Sequence, residues 1–278
     1  MSKMKKLSLW LLLIVFSNTI RAAVVDTVSI NSTSMKKAIK TVVIKPDAYS
    51  AGEQRFPVVY LLHGFGGKYN NWIMRVPQLK QMADDLQLII VCPDGAKGSW
   101  YFNSPVDSSY RYETFVGAEV PAFIDARYKT IADRKARAIT GLSMGGHGGL
   151  FLGFRHADLF SACGSMSGAL HVTVIRKGYE VEHRLGDTLT NQKYWNDWSV
   201  LNVIEQPPVA PLAIMIDCGT EDRILPMSRL VHEKMLRLKI PHDYTERPGN
   251  HDWMYWGNAV QYQLLFFSKH FKQQLSPL

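Results

Sequence analysis

Apolar positions along the chain fall into short continuous runs separated by stretches in which they recur every three to four residues. The runs are Phe56 to Leu62, Leu88 to Val91, Ala136 to Thr140, Phe160 to Met166 and Pro211 to Asp217. Uninterrupted apolar runs of this length are expected of strands covered on both faces. Between and after them, Trp72 to Leu86, Tyr112 to Tyr128, Gly145 to Arg155, Met227 to Leu238 and Trp253 to Phe271 carry helical periodicity. Pro77 should break the start of the first and Pro121 should kink the second. Val24 to Asn31 and Lys36 to Lys45 alternate loosely and suit an antiparallel pair at a sheet edge, and Asp243 to Arg247 reads as a short last strand. Strands alternating with helices predict an α/β fold, a mostly parallel central sheet with helices on both faces. Residues 168–210 follow neither period and predict an irregular excursion.

Two glycine-rich stretches interrupt this pattern, and both directly follow predicted buried strands: His63-Gly64-Phe65-Gly66-Gly67 and Gly141-Leu142-Ser143-Met144-Gly145-Gly146. The second fits G-x-S-x-G, a nucleophile elbow in which a strand turns sharply into a helix and presents the serine oxygen. Serine is a weak nucleophile at neutral pH. It needs a general base, and the base needs a carboxylate that fixes its tautomer. In the chain order usual for such elbows the acid and then the histidine follow the serine. Catalytic groups sit at the C-terminal ends of parallel strands, which leaves Asp217 and Asp222 as acids. Asp222 is preferred because it lies in the loop Gly219-Thr220-Glu221-Asp222, whereas Asp217 closes the strand itself. His251, between the last strand and the last helix, is the expected base.

An oxyanion needs donors already aimed at it. The backbone N–H of Met144 is one candidate; the N–H of Phe65, with Gly66 as second choice, is the other. His63 reads as a brace for its loop. His147, one turn into the elbow helix, is expected to pack or line the site, and Trp100, in a polar loop after a strand, to form a wall of the substrate pocket. Residues 168–210 would then cover the site. His232-Glu233 begins like a zinc-protease motif but has Leu236 where the second histidine belongs, so no metal is expected.

Composition adds limits. Of the 278 residues, 46% are hydrophobic, enough for one large core. Lys3, Lys5 and Lys6 precede a ten-residue apolar run, Leu7 to Phe16, and Ile20-Arg21-Ala22 offers a cleavage site. That pattern predicts a signal peptide over residues 1–22, an exported (periplasmic or secreted) chain, and a single domain over 23–278. Cleavage lowers the formal charge from +8 to +4. No clustered basic face remains, which argues against nucleic acid as a partner. Cys92, Cys163 and Cys218 each lie in or just after an apolar run and are expected as buried thiols; without a C-x-x-C they offer no zinc site.

These motifs together resemble the α/β-hydrolase family of esterase D, S-formylglutathione hydrolase, tributyrin esterases, feruloyl esterases and mycolyltransferases. The resemblance runs from about Lys36 to Phe271. It rests on Leu61 to Gly67, Ser99-Trp100-Tyr101, Gly141 to Gly146, Cys218 to Asp222 and Gly249-Asn250-His251-Asp252-Trp253. It implies a triad of Ser143, Asp222 and His251, no cofactor, and an acyl preference set by loops such as 168–210. The expected activity is hydrolysis of short-acyl or carbohydrate-linked feruloyl or acetyl esters. Acyl transfer to a sugar and S-formylglutathione hydrolysis are the alternatives within the family, and a non-catalytic binding module is the alternative outside it.

Overall fold

The computed structural model describes residues 23–50, 52–175 and 178–276. The expected signal peptide lies outside the described residues. Eight strands form one sheet in the order β1-β2-β4-β3-β5-β6-β7-β8. They are β1 (Val24–Ser32), β2 (Lys37–Lys45), β3 (Val58–Leu62), β4 (Ile89–Pro93), β5 (Arg137–Gly141), β6 (Ala162–Met166), β7 (Ala213–Gly219) and β8 (Asp243–Arg247). The β1–β2 and β2–β4 pairs are antiparallel, and every other pair is parallel. The expected edge pair and parallel core are therefore both present.

Alternation along β3 shows why its apolar run is continuous. Val58, Tyr60 and Leu62 enter one hydrophobic cluster, and Val59 and Leu61 enter another. The first cluster takes Leu150 and Phe151 from α5 (Met144–Arg155) and Val231 and Met235 from α9 (Leu225–Arg237). The second takes Leu79 and Ala83 from α2 (Leu79–Leu86), and Val260, Leu264 and Phe267 from α10 (Trp253–Leu275). Each face of the sheet is thus sealed by its own helical layer. At roughly 25 cal/mol per Å² of apolar area, this burial is the main term holding the fold together.

Two helices differ from the pattern read in the sequence. Trp72 to Leu86 divides into α1 (Asn71–Arg75) and α2, because Pro77 lacks the N–H that a continuous helix would use. Tyr112 to Tyr128 consists of a short α3 (Tyr112–Thr114), a π-helical turn (Phe115–Glu119) and α4 (Val120–Arg127). Thr114, Phe115, Glu119 and Val120 keep right-handed helical dihedrals, so the three pieces form one running helix, and Pro121 sits directly after its π-helical turn, a local widening of the kind that accommodates a missing N–H. Residues 168–210 hold a 3₁₀ turn (Val172–Val174) and three short helices, α6 (Val181–Leu185), α7 (Gln192–Asp197) and α8 (Val200–Val203). All three cysteines are buried free thiols, and burial pushes Cys218 up to about 12. Among the described residues no helix is long and apolar enough to cross a membrane.

Candidate active site

From β3 the chain continues to β4 on one side and reaches β5 on the other, so the loops leaving β3 and β5 open a crevice at the carboxyl ends of the strands. The elbow at the end of β5 is very tight. Ser143 has φ 54° and ψ −115°, a left-handed conformation that a non-glycine residue adopts only where its surroundings force it. A Cβ on Gly145 would lie 2.6 Å from the carbonyl oxygens of both Leu62 and His63, and one on Gly141 would lie 2.6 Å from those of Leu62 and Gly145. Only glycine lets α5 start this close to β3. Ser143 N–H donates to the Met166 carbonyl (3.0 Å), and Ser143 C=O accepts from His147 N–H (3.0 Å) and Ala169 N–H (3.1 Å), so hydrogen bonds hold the strained residue on both sides.

His251 Nε2 lies 3.0 Å from Ser143 Oγ, and His251 Nδ1 lies 2.7 Å from Asp222 Oδ2. The carboxylate accepts the Nδ1 proton, which leaves Nε2 as an acceptor for the serine hydroxyl. Asp222 also accepts the Ile224 N–H at 2.9 Å. Burial alone would raise its carboxyl, but hydrogen bonds from His251, Ile224 and Ser167 outweigh that and hold it below the usual carboxylate range. Asp217, the competing acid, is elsewhere. It is fully buried and holds the Arg247 guanidinium at the end of β8 and the Tyr255 hydroxyl on α10. This ion pair ties together the two elements that flank the His251 loop. The ring of His251 packs edge-on against Trp256, with centroids 4.9 Å apart, and Trp256 continues through Trp253 to Trp72.

His63 donates through Nδ1 to the Gly64 carbonyl (2.8 Å) and accepts the Gly95 N–H at Nε2 (2.7 Å), so both ring nitrogens are committed to loop backbone. Burial lowers its pKa and keeps it neutral. The Gly66 N–H donates to the Lys97 carbonyl at 2.7 Å, whereas the N–H groups of Phe65 and Met144 have no acceptor among the described residues. That distribution favours Phe65 over Gly66 as a donor to a bound oxyanion.

Two cavities meet at Ser143 and His251. One, of about 300 Å³, is walled by Trp100, Ala169, Val174, Ile175, Ile224 and Met227. The other, of about 330 Å³, runs past Gly66, Asn71, Arg75, Trp253 and Trp256. Phe65, Tyr179 and Arg223 border both. Trp100 (φ 55°) forms a wall of the first, fixed by its Nε1–H on the Tyr179 carbonyl at 2.8 Å. No motif or spacing singles out Val174, Ile175 or Tyr179, which lie in the aperiodic segment, nor Arg75 at the end of α1. Arg223 is the immediate neighbour of the expected acid and could have been noticed there.

His147 does not line the cleft. It is fully buried behind the Trp100 wall, between Phe102 and Phe151, and donates through Nε2 to the Trp198 carbonyl at 2.9 Å. Burial lowers its pKa to about 4. A histidine depressed in the folded state leaves stability intact above its unfolded value near 6.5 and removes it as pH falls towards 4. Wild-type protein should therefore lose about 2–3 kcal/mol more stability between pH 7 and pH 4.5 than His147→Gln. Urea midpoints of both proteins at the two pH values check this.

An elbow on a mostly parallel eight-stranded sheet, with a histidine and a carboxylate supplied by the loops after β8 and β7, defines the α/β-hydrolase fold. The family model described as "Putative esterase" matches residues 32–267, and the chain belongs to that esterase family. A solved ferulic acid esterase superposes with a TM-score of 0.78 at 27% identity, covering 90% of this chain and 99% of that one. The acetyl esterase of Caldicellulosiruptor saccharolyticus is 24% identical over 230 residues, 78% of this chain and 85% of that protein. Esterase Rv1288 of Mycobacterium tuberculosis is 28% identical over 235 residues, which is 75% of this chain and 51% of that protein. The chain thus spans about half the length of that relative.

Proposed function

We propose that the chain is an exported serine carboxylesterase, a single domain beyond residue 22, that cleaves short-acyl or carbohydrate-linked acetyl or feruloyl esters. The observation that carries this reading is the relay from Asp222 through His251 to Ser143, 2.7 and 3.0 Å, where the two cavities meet. Ser143 Oγ attacks the ester carbonyl while His251 Nε2 takes its proton, and the oxyanion is received by the N–H groups of Phe65 and Met144. The carbon–oxygen bond to the alcohol then breaks as His251 returns the proton to the departing oxygen. Water, deprotonated by the same histidine, releases the acid and regenerates Ser143. The apolar cavity takes the acyl group, with Trp100 as a fixed wall. None of these steps needs a metal or an organic cofactor. Residues 168–210 contribute Ala169, Val174, Ile175 and Tyr179 to the cleft, and in this reading they set acyl preference.

Acetyl, butyryl and feruloyl esters given to the purified protein test the reading. Release of free acid from at least one is expected; release from none overturns it. If a sugar added in competition with water takes all the acyl groups, the enzyme is a transferase instead.

A further inference from the structure

The two cavities differ in kind. The acyl-side walls are mostly apolar apart from Arg223, which stands between the two cavities in the loop after β7, whereas the second cavity adds a further guanidinium group, Arg75 from the end of α1. Neither arginine has a carboxylate within ion-pair distance among the described residues. The carboxylates within two residues of the cavity lining have other duties. Asp222 holds His251, Glu221 accepts the Gly249 N–H and the Thr220 hydroxyl, Asp252 caps α10 on the Tyr255 N–H, and Glu180 pairs with Lys97 and Arg184. Arg223 is held in position by donating to the Tyr179 hydroxyl at 3.0 Å. Trp256, 7% exposed, lines the same cavity, and its Nε1–H has no partner among the described residues.

In a serine esterase the scissile bond divides the substrate between two such arms. With the acyl group in the apolar arm, the alcohol occupies the arm that holds Arg75, with Arg223 where the two arms meet. We infer that the preferred substrates are esters whose alcohol portion carries a carboxylate, as in esters formed on the hydroxyl of a hydroxy acid. Guanidinium groups pair with carboxylates in bidentate geometry, and a cleft with low-dielectric walls focuses their field on the incoming substrate. The inference rests on the esterase reading above and adds to it the charge of the leaving group.

The test uses 3-acetoxybenzoate and its uncharged analogue 3-acetoxybenzamide, which share the acyl group and the shape of the leaving group. Exposed pairs are individually weak, so the two arginines together should favour the carboxylate ester by about tenfold in kcat/KM. In the doubly substituted Arg75→Gln, Arg223→Gln protein the ratio of carboxylate to amide ester should fall about tenfold. In the Arg75→Lys, Arg223→Lys protein most of the preference should survive. Raising salt towards 1 M should shrink the wild-type ratio and leave that of the glutamine variant nearly constant. A ratio that stays within twofold of wild type in the glutamine variant, with the amide ester hydrolysed, overturns the inference and leaves the esterase reading standing. If wild-type protein hydrolyses neither ester while cleaving another of the acetyl, butyryl and feruloyl esters, the inference falls and the esterase reading stands; if it cleaves none of them, both fall.

Discussion

Replacing Ser143 by alanine is expected to lower turnover of a short p-nitrophenyl ester by about 10⁴- to 10⁶-fold while leaving the thermal midpoint close to that of wild type. The size of the effect follows from what one oxygen does. Without Oγ there is no acyl-enzyme, and His251 and the Phe65 and Met144 N–H groups are left to assist direct attack by water. Residual activity of that kind is small but above background, since oxyanion stabilisation and binding survive. The fold should tolerate the change because the hydroxyl's one side-chain partner is His251 Nε2, at 3.0 Å. The strained φ of 54° belongs to the backbone, and alanine inherits it. Stopped-flow or plate-reader kinetics with matched circular dichroism would check both halves, and near-wild-type turnover would contradict the assignment.

Asp222→Asn should cost about 10⁴-fold in kcat with little change in KM. Asp222 is nearly isosteric with asparagine, and its side chain is buried, so the cleft keeps its shape. What changes is the proton on His251. An amide that turns its NH₂ towards Nδ1 donates where the carboxylate accepted, so the imidazole carries its proton on Nε2 and meets the serine hydroxyl as a donor. Asp217→Asn gives the contrasting result. Its carboxylate holds Arg247 and Tyr255, not His251, so the substitution should appear as lost stability, with kcat per folded molecule largely kept. Reversal of the two phenotypes, with Asp217 essential for turnover and Asp222 dispensable, would exchange the roles of these residues.

Much of this arrangement was legible in the sequence where sterics leave few options. The apolar runs mark β3 to β7 because a strand buried on both faces admits a polar residue only where a partner satisfies it, as Arg247 and Tyr255 do for Asp217, and Asp243–Arg247 reads as a strand with the bounds it has. Glycines at 141 and 145 announce the elbow because a Cβ at either would strike backbone. Asp222 and His251 follow from the rule that functional loops leave the carboxyl ends of strands. Legibility ends where tertiary context decides. Pro121 reads as a kink, but nothing in the sequence marks the π-helical turn just before it within the same running helix. His147 is one turn from Ser143, but sequence distance does not reveal which side of α5 it occupies, and it faces the Trp198 carbonyl in the core. The cleft walls are drawn from α1, from residues 169–179 and from the loop after β7, and no spacing rule links those stretches. Nothing in the sequence therefore links Arg75 to Arg223, which the fold places on one cavity.

In the proposed mechanism every ester cleavage proceeds through Ser143. This is tested most directly by titrating the protein with a fluorophosphonate while following both ester hydrolysis and the mass of the intact protein. Activity should disappear in proportion to a single adduct, peptide mapping should place the adduct on Ser143, and Ser143→Ala should take up none. An adduct on another residue that abolishes activity, or undiminished hydrolysis by protein fully modified at Ser143, would contradict that mechanism.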